Sequence, residues 1–170
     1  MTRLNPIRIL LCDDHPMIRL ALRSTVGMEP NMTIVGEATN GSEAILMFQK
    51  YRPDVVLMDI NLPGMNGVEC VRRLKPLLPE TQFVMLTVYE DSDHIFQALQ
   101  AGAAGYLLKR TPRAELMAAI RDVQAGGSPM TSNIARKVVV AFQKMGSNKS
   151  EAEELSPRER EVLELLTRGY

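Results

Sequence analysis

The run Val55-Val56-Leu57-Met58-Asp59, followed by Ile60-Asn61-Leu62-Pro63-Gly64, constrains this chain more than any other stretch. Four apolar residues in a row, bounded by turn residues, suit a strand buried on both faces. A carboxylate, Asp59, follows at once, and Pro63, Gly64, Asn66 and Gly67 then read as a loop and the start of a helix. A charged group is therefore set at the end of a buried strand, where the loops of open α/β sheets build their sites.

The same grammar recurs along the chain. Ile7 to Cys12 reads as a first buried strand ending in Asp13-Asp14. Two adjacent carboxylates are costly unless water or a cation neutralises them. His15-Pro16 opens a helix with an apolar stripe of Met17, Ile18, Leu20, Ala21 and Leu22. His15 reads as structural or exposed, since no further His or Cys nearby completes a zinc site. Thr33 to Ala38 reads as a second, edge strand, and Ser42 to Tyr51 as a helix. Val68, Val71 and Leu74 mark a helix that Pro76 weakens and Pro79 stops. Phe83 to Leu86 is a buried strand ending in Thr87, and Asp91 to Gln100 a helix. Tyr106-Leu107-Leu108 is a short strand ending in Lys109, and a helix runs from Pro112 to Gln124 before Gly126-Gly127.

This βαβαβαβαβα alternation predicts a five-stranded parallel sheet with helices on both faces, because right-handed crossovers place them there. Asp13-Asp14, Asp59, Thr87 and Lys109 each follow an apolar strand, so one edge of the sheet would gather them. Three carboxylates in one pocket favour a hard divalent cation such as Mg²⁺. A carboxylate is also a nucleophile toward phosphorus. Lys109 supplies an ammonium for a phosphoryl oxygen and Thr87 a hydroxyl. Each residue alone has a bland reading as a turn, a strand end or a solvated lysine; their joint placement argues against it.

Composition narrows the classes further. Lys+Arg and Asp+Glu number 20 each, so the whole chain is not the strongly basic type that binds nucleic acid by charge alone. Cys12 and Cys70 form no paired metal motif and read as reduced thiols of a cytoplasmic protein, Cys12 buried. No apolar run approaches a membrane span, and no secretory signal pattern opens the chain.

From about Ile7 to Gln124 the chain resembles the receiver domain of two-component response regulators. The matching motifs are Leu11-Cys12-Asp13-Asp14, Met58 through Gly67, Leu86-Thr87 and Leu107-Leu108-Lys109. The resemblance implies a flavodoxin-like, doubly wound sheet over residues 1–127, with Asp59 accepting a phosphoryl group from a sensor histidine kinase. It implies Mg²⁺ held by the side chains of Asp14 and Asp59 and the backbone carbonyl of Asn61, with Asp13 nearby through water. Thr87 and Tyr106 would be a switch pair, and Lys109 would contact the phosphoryl group. Val88 is bulkier than the residue the family commonly carries after Thr87, which implies narrower access to Asp59.

Beyond Gly127, Ile134, Val138, Val139, Phe142 and Met145 predict a connector helix. A polar segment from Gly146 to Glu154 then completes a linker over residues 128–154. Ser156 with Glu159 is a capping box, Pro157 takes the first helical position, and Val162, Leu163, Leu165 and Leu166 form an apolar face. Residues 155–170 resemble the first helix of a LuxR-type helix-turn-helix, as in NarL/FixJ-type regulators. The sequence stops before a recognition helix, whether as a shortened or a natural short form. DNA binding, together with pairing of two copies on phosphorylation, is therefore expected of a chain carrying the complete output domain.

Two other classes were weighed. An aspartyl-phosphate phosphatase of the haloacid-dehalogenase kind needs a second Asp two residues after the nucleophile, where this chain has Asn61. A nucleotide-binding module lacks its G-x-G-x-x-G after the first strand. The expectation is a non-enzymatic phosphoacceptor switch; a standalone receiver-type interaction module is the alternative.

Overall fold

The structure is a computed structural model that describes residues 5–147 and 157–167. Its strands are β1 (Ile7–Cys12), β2 (Met32–Ala38), β3 (Val55–Met58), β4 (Gln82–Thr87) and β5 (Gly105–Leu108). Its helices are α1 (Pro16–Gly27), α2 (Gly41–Tyr51), α3 (Gly67–Leu74), α4 (Ser92–Ala101), α5 (Arg113–Gln124), α6 (Ser132–Ser147) and α7 (Pro157–Thr167). All strand pairings are parallel, in the order β2-β1-β3-β4-β5. That is the flavodoxin-like order, whose switch point lies between β1 and β3.

Side-chain alternation divides the core in two. Leu10, Cys12, Val56, Met58, Phe83, Met85, Tyr106 and Leu108 face one way, onto α2, α3 and α4 through Phe48, Val71 and Ile95. Ile9, Leu11, Val55, Leu57, Val84, Leu86 and Leu107 face the other way, onto α1 and α5 through Val26, Met117 and Ile120. This double burial explains why β3 and the stretch from Ile9 to Cys12 in β1 are unbroken apolar runs, whereas β2, at the edge, is only half-buried along most of its length. Both cysteines are free and buried.

Helix starts follow local chemistry. Asn40, Asn66 and Asp91 accept hydrogen bonds from the backbone N–H of Glu43, Val68 and His94, satisfying donors at the starts of α2, α3 and α4. Pro16 occupies the first turn of α1. Pro112 precedes α5 rather than joining it, with extended backbone at its cap position.

The connector helix is longer than the sequence pattern implied. Gly146 and Ser147, read as linker, belong to α6. Its Ile134 is buried in the same cluster as Tyr106 and Ile95. Just before it, Met130 bridges Tyr106 in parallel, and the Tyr106 N–H donates to Pro129 O at 3.0 Å. The segment leading into α6 thus extends the sheet past β5. The predicted cap at Ser156 and the polar stretch from Asn148 lie outside the described residues. Among the described residues no helix is long and apolar enough to cross a membrane.

Candidate functional site

Backbone pairing gathers the strand ends. The Asp59 N–H donates to Cys12 O at 2.9 Å, so Asp59 lies beside Asp13 across the switch point. The Lys109 N–H donates to Thr87 O, also at 2.9 Å, aligning the other two ends. A tight approach fixes the floor: a Cβ built on Gly67 would stand 1.9 Å from Asp59 O. The start of α3 therefore packs directly on the backbone of Asp59, and only glycine leaves room.

At this edge Asp59 is 2% exposed and Asp13 4%, while Asp14 is partly exposed. Lys109 Nζ reaches Asp59 Oδ2 and Asp13 Oδ2, each at 2.9 Å. Asp59 Oδ1 accepts from the Asn61 N–H at 3.3 Å. Burial raises the Asp59 carboxyl above its ordinary value; Lys109 offsets part of this and the neighbouring Asp13 charge adds to it. Burial pulls the Lys109 ammonium down, but Asp13 and Asp59 together outweigh it and hold it raised. One ammonium between two buried carboxylates leaves the pocket short of positive charge.

Ligating atoms of Asp13, Asp14, His15 and Asp59 lie within 4.8 Å of one another. Asp14 Oδ1 is shielded from solvent and accepts no hydrogen bond, although His15 Nδ1 lies 3.2 Å away. A buried carboxylate oxygen without a donor is costly. A divalent cation would satisfy it, so the acidic pocket is compatible with divalent metal binding and has the oxygen donors that hard cations take.

The structure brings Asp13, Asp14, Asp59 and Lys109 together, with the Asn61 N–H on Asp59. Thr87 is buried at the end of β4. Tyr106 is buried as well, and its hydroxyl donates to Tyr89 O at 2.8 Å. Val88 is exposed. Two participants were not singled out. His15, expected to be structural or exposed, is exposed yet puts Nδ1 2.9 Å from Asp13 Oδ1 and 3.2 Å from Lys109 Nζ. Tyr89 lays its hydroxyl 2.8 Å from Asn61 Nδ2 and 3.1 Å from Asn61 Oδ1, with its ring stacked on His94 at 4.1 Å. A tyrosine in a strand-to-helix loop carries no sequence signal for this contact.

The fold agrees with comparison to known proteins. Residues 9–121 match the response regulator receiver domain family. The chain is 36% identical over 163 residues to the transcriptional regulatory protein LiaR of Bacillus subtilis (strain 168), covering 96% of this chain and 77% of that protein. It is 33% identical over 170 residues to the nitrate/nitrite response regulator protein NarL of Escherichia coli (strain K12), covering 99% and 79%. A crystal structure of a LuxR-family two-component response regulator from Aurantimonas sp. SI85-9A1 superposes with a TM-score of 0.75 at 33% identity, over 79% of this chain and 96% of that one. The chain belongs to the response regulator receiver family, among the LuxR-family regulators of the NarL, LiaR and DegU kind. It is a two-component response regulator, and the function supported at family level is transcriptional regulation rather than classical enzymatic turnover.

Proposed function

We propose that Asp59 is the phosphoacceptor of this regulator and that a sensor histidine kinase is its donor. The observation that carries the reading is the buried Asp59 carboxylate, 2.9 Å from Lys109 Nζ and grouped with Asp13 and Asp14. In the transfer, an Asp59 oxygen attacks the phosphorus of a phosphohistidine. The P–N bond breaks, its electron pair returns to the imidazole, and an acyl phosphate forms. The Lys109 ammonium then pairs with a phosphoryl oxygen, and the Thr87 hydroxyl donates to another.

Mg²⁺ is the proposed cation; Asp14, Asp59 and the carbonyl of Asn61 would hold it, with Asp13 close by. When bound it neutralises charge that would otherwise repel the incoming phosphoryl group. The chain's own residues do the rest: Lys109 keeps Asp59 and Asp13 oriented, and the Asn61 N–H fixes one Asp59 oxygen. Thr87 and Tyr106 carry the change outward as the switch pair.

The proposed organisation is a receiver over residues 1–127, a linker over 128–154 and the opening of a LuxR-type DNA-binding unit from 155. In the complete regulator, acting in the cytoplasm, phosphorylation would favour a homodimer that binds DNA. The test is mass spectrometry after acetyl phosphate and Mg²⁺. One added phosphoryl group is expected on the wild type and none on Asp59→Asn, with labelling abolished by excess EDTA. Equal labelling of Asp59→Asn would overturn the assignment.

A further inference from the structure

Two consecutive residues in the loop between β4 and α4 stand between the site and the connector helix. The Tyr89 side chain hydrogen-bonds Asn61, two residues after Asp59, while the Tyr89 carbonyl accepts from Tyr106. Glu90 is gripped from two sides. Its carboxylate pairs with Arg110, next to Lys109, and its backbone carbonyl accepts from Lys137 Nζ on α6. Lys137 is half-buried, so this lysine is ordered onto a carbonyl instead of extending into water. Ordering a lysine costs rotamer entropy, and a charge-assisted hydrogen bond is what offsets it. The segment entering this helix is held at Tyr106 through Pro129 O, and the helix itself is anchored by buried Ile134.

We infer that Lys137 of the connector helix is a positioning residue that restrains phosphorylation at Asp59, acting through Glu90 and Tyr89 on Asn61. The inference rests on Asp59 as the phosphoacceptor. Lys137 holds the loop where Tyr89 closes over Asn61, beside the Asp59 pocket. In this inference the Tyr89–Asn61 bond restrains the loop beside Asp59, and releasing it eases the approach of a phosphodonor. Coupling in free energy is reciprocal: if phosphorylation favours a moved loop and thereby a moved α6, the position of α6 sets the population of the moved loop, and with it the fraction of chains ready to react at Asp59. The linker is then a sensor of the output side as well as a conductor toward it.

The test is the rate of Asp59 labelling by acetyl phosphate at fixed Mg²⁺, on the whole chain, with folding checked by thermal melts. Lys137→Met is expected to label about fivefold faster than wild type, at the lower end of ordinary coupling between sites. Lys137→Arg, which keeps a cationic donor for the carbonyl, is expected to stay near the wild-type rate. Tyr89→Phe is expected to be faster too, and adding Lys137→Met to it should bring no further gain, because both act along one route. Equal or slower labelling of Lys137→Met overturns the inference, as does Lys137→Arg matching Lys137→Met. A full additional gain in the double variant overturns the route through Tyr89. Wild type that takes up no phosphoryl group at Asp59 instead overturns the phosphoacceptor reading beneath it.

Discussion

Tyr106 donates its hydroxyl to the backbone carbonyl of Tyr89 at 2.8 Å, so the last strand of the sheet holds the loop that leads from β4 to the start of α4. The ring is buried among Ile95, Ile134 and Met85, and burial pushes the phenol well above its ordinary pKa. Thr87 Oγ1 meets the same loop weakly, accepting from the Tyr89 N–H at 3.5 Å. A side chain at the site, a loop and a buried aromatic are thus in one connected set. Tyr106→Phe is expected to cost about 1 kcal/mol in urea unfolding, the usual worth of one neutral hydrogen bond, and to leave Asp59 still able to take up a phosphoryl group. Thr87→Ala should also be labelled. Spin or fluorescent labels on α4 and β5 should report a distance change with beryllofluoride in wild type and none in Thr87→Ala; a wild-type response in Thr87→Ala would remove Thr87 from the route.

Asp59 makes a pH-dependent contribution whose sign follows from its raised pKa. The folded chain prefers the protonated carboxyl more than the unfolded chain does. Stability from this group is therefore full below the unfolded carboxylate value and is lost as pH rises through the folded one. Metal-free Asp59→Asn is expected to melt a few degrees above metal-free wild type at neutral pH, a shift on the order of 1 kcal/mol for a domain of this size. The gap should close in acid. Added Mg²⁺ should raise the wild-type melting temperature and leave Asp59→Asn nearly unmoved. A gap of the same size at acid and neutral pH would show that Asp59 titration is not its source.

Gly67 is a site residue without a functional group. Its missing side chain lets α3 begin against Asp59 O, and its N–H donates to Ile60 O at 2.8 Å. A methyl group there meets backbone, which yields only by shifting the strand end that carries Asp59. Gly67→Ala is expected to destabilise the fold by ~3 kcal/mol or more, in the range of strained or overpacked core substitutions. Denaturant unfolding measures it, and a loss below about 1 kcal/mol would mean that the α3 start relaxes freely.

Much of this was legible in the sequence because strand ends are legible. Cys12, Met58 and Leu108 close runs whose burial on both faces disfavours polar residues, so the charged residue that follows each run, Asp13, Asp59 or Lys109, marks the sheet edge. Parallel pairing then gathers Asp13, Asp59 and Lys109 without further information. Contacts made by loops were not legible. The Tyr89–Asn61 bond depends on a path through space that no period encodes. Nor was the docking of α6: Ile134 and Val138 suggested an apolar face, but the bridge from Met130 to Tyr106 depends on an edge that β5 leaves open. The end of α6 was misplaced because Gly146 and Ser147 read as turn residues, although one glycine in a helix costs only about 1 kcal/mol against alanine.

The helix α7 supplies the last prediction. An isolated helix of 11 residues is marginal in water, so its stability has to come from a neighbour. It packs against α4 and α6, where Val162 is buried and Gln100 Nε2 donates to Glu161 Oε2 at 3.0 Å. The polar bond is exposed and contributes little, so the apolar contact at Val162 carries the docking. Val162→Asp would put a charge into that contact and should undock the helix. Amide hydrogens over residues 157–167 are expected to exchange about tenfold faster or more in Val162→Asp, with protection of β1, β3 and β4 unchanged. Gln100→Ala should change exchange there by less than about twofold, the effect of one exposed hydrogen bond. If Gln100→Ala undocks the helix and Val162→Asp does not, the polar contact rather than the apolar one holds α7 to the receiver.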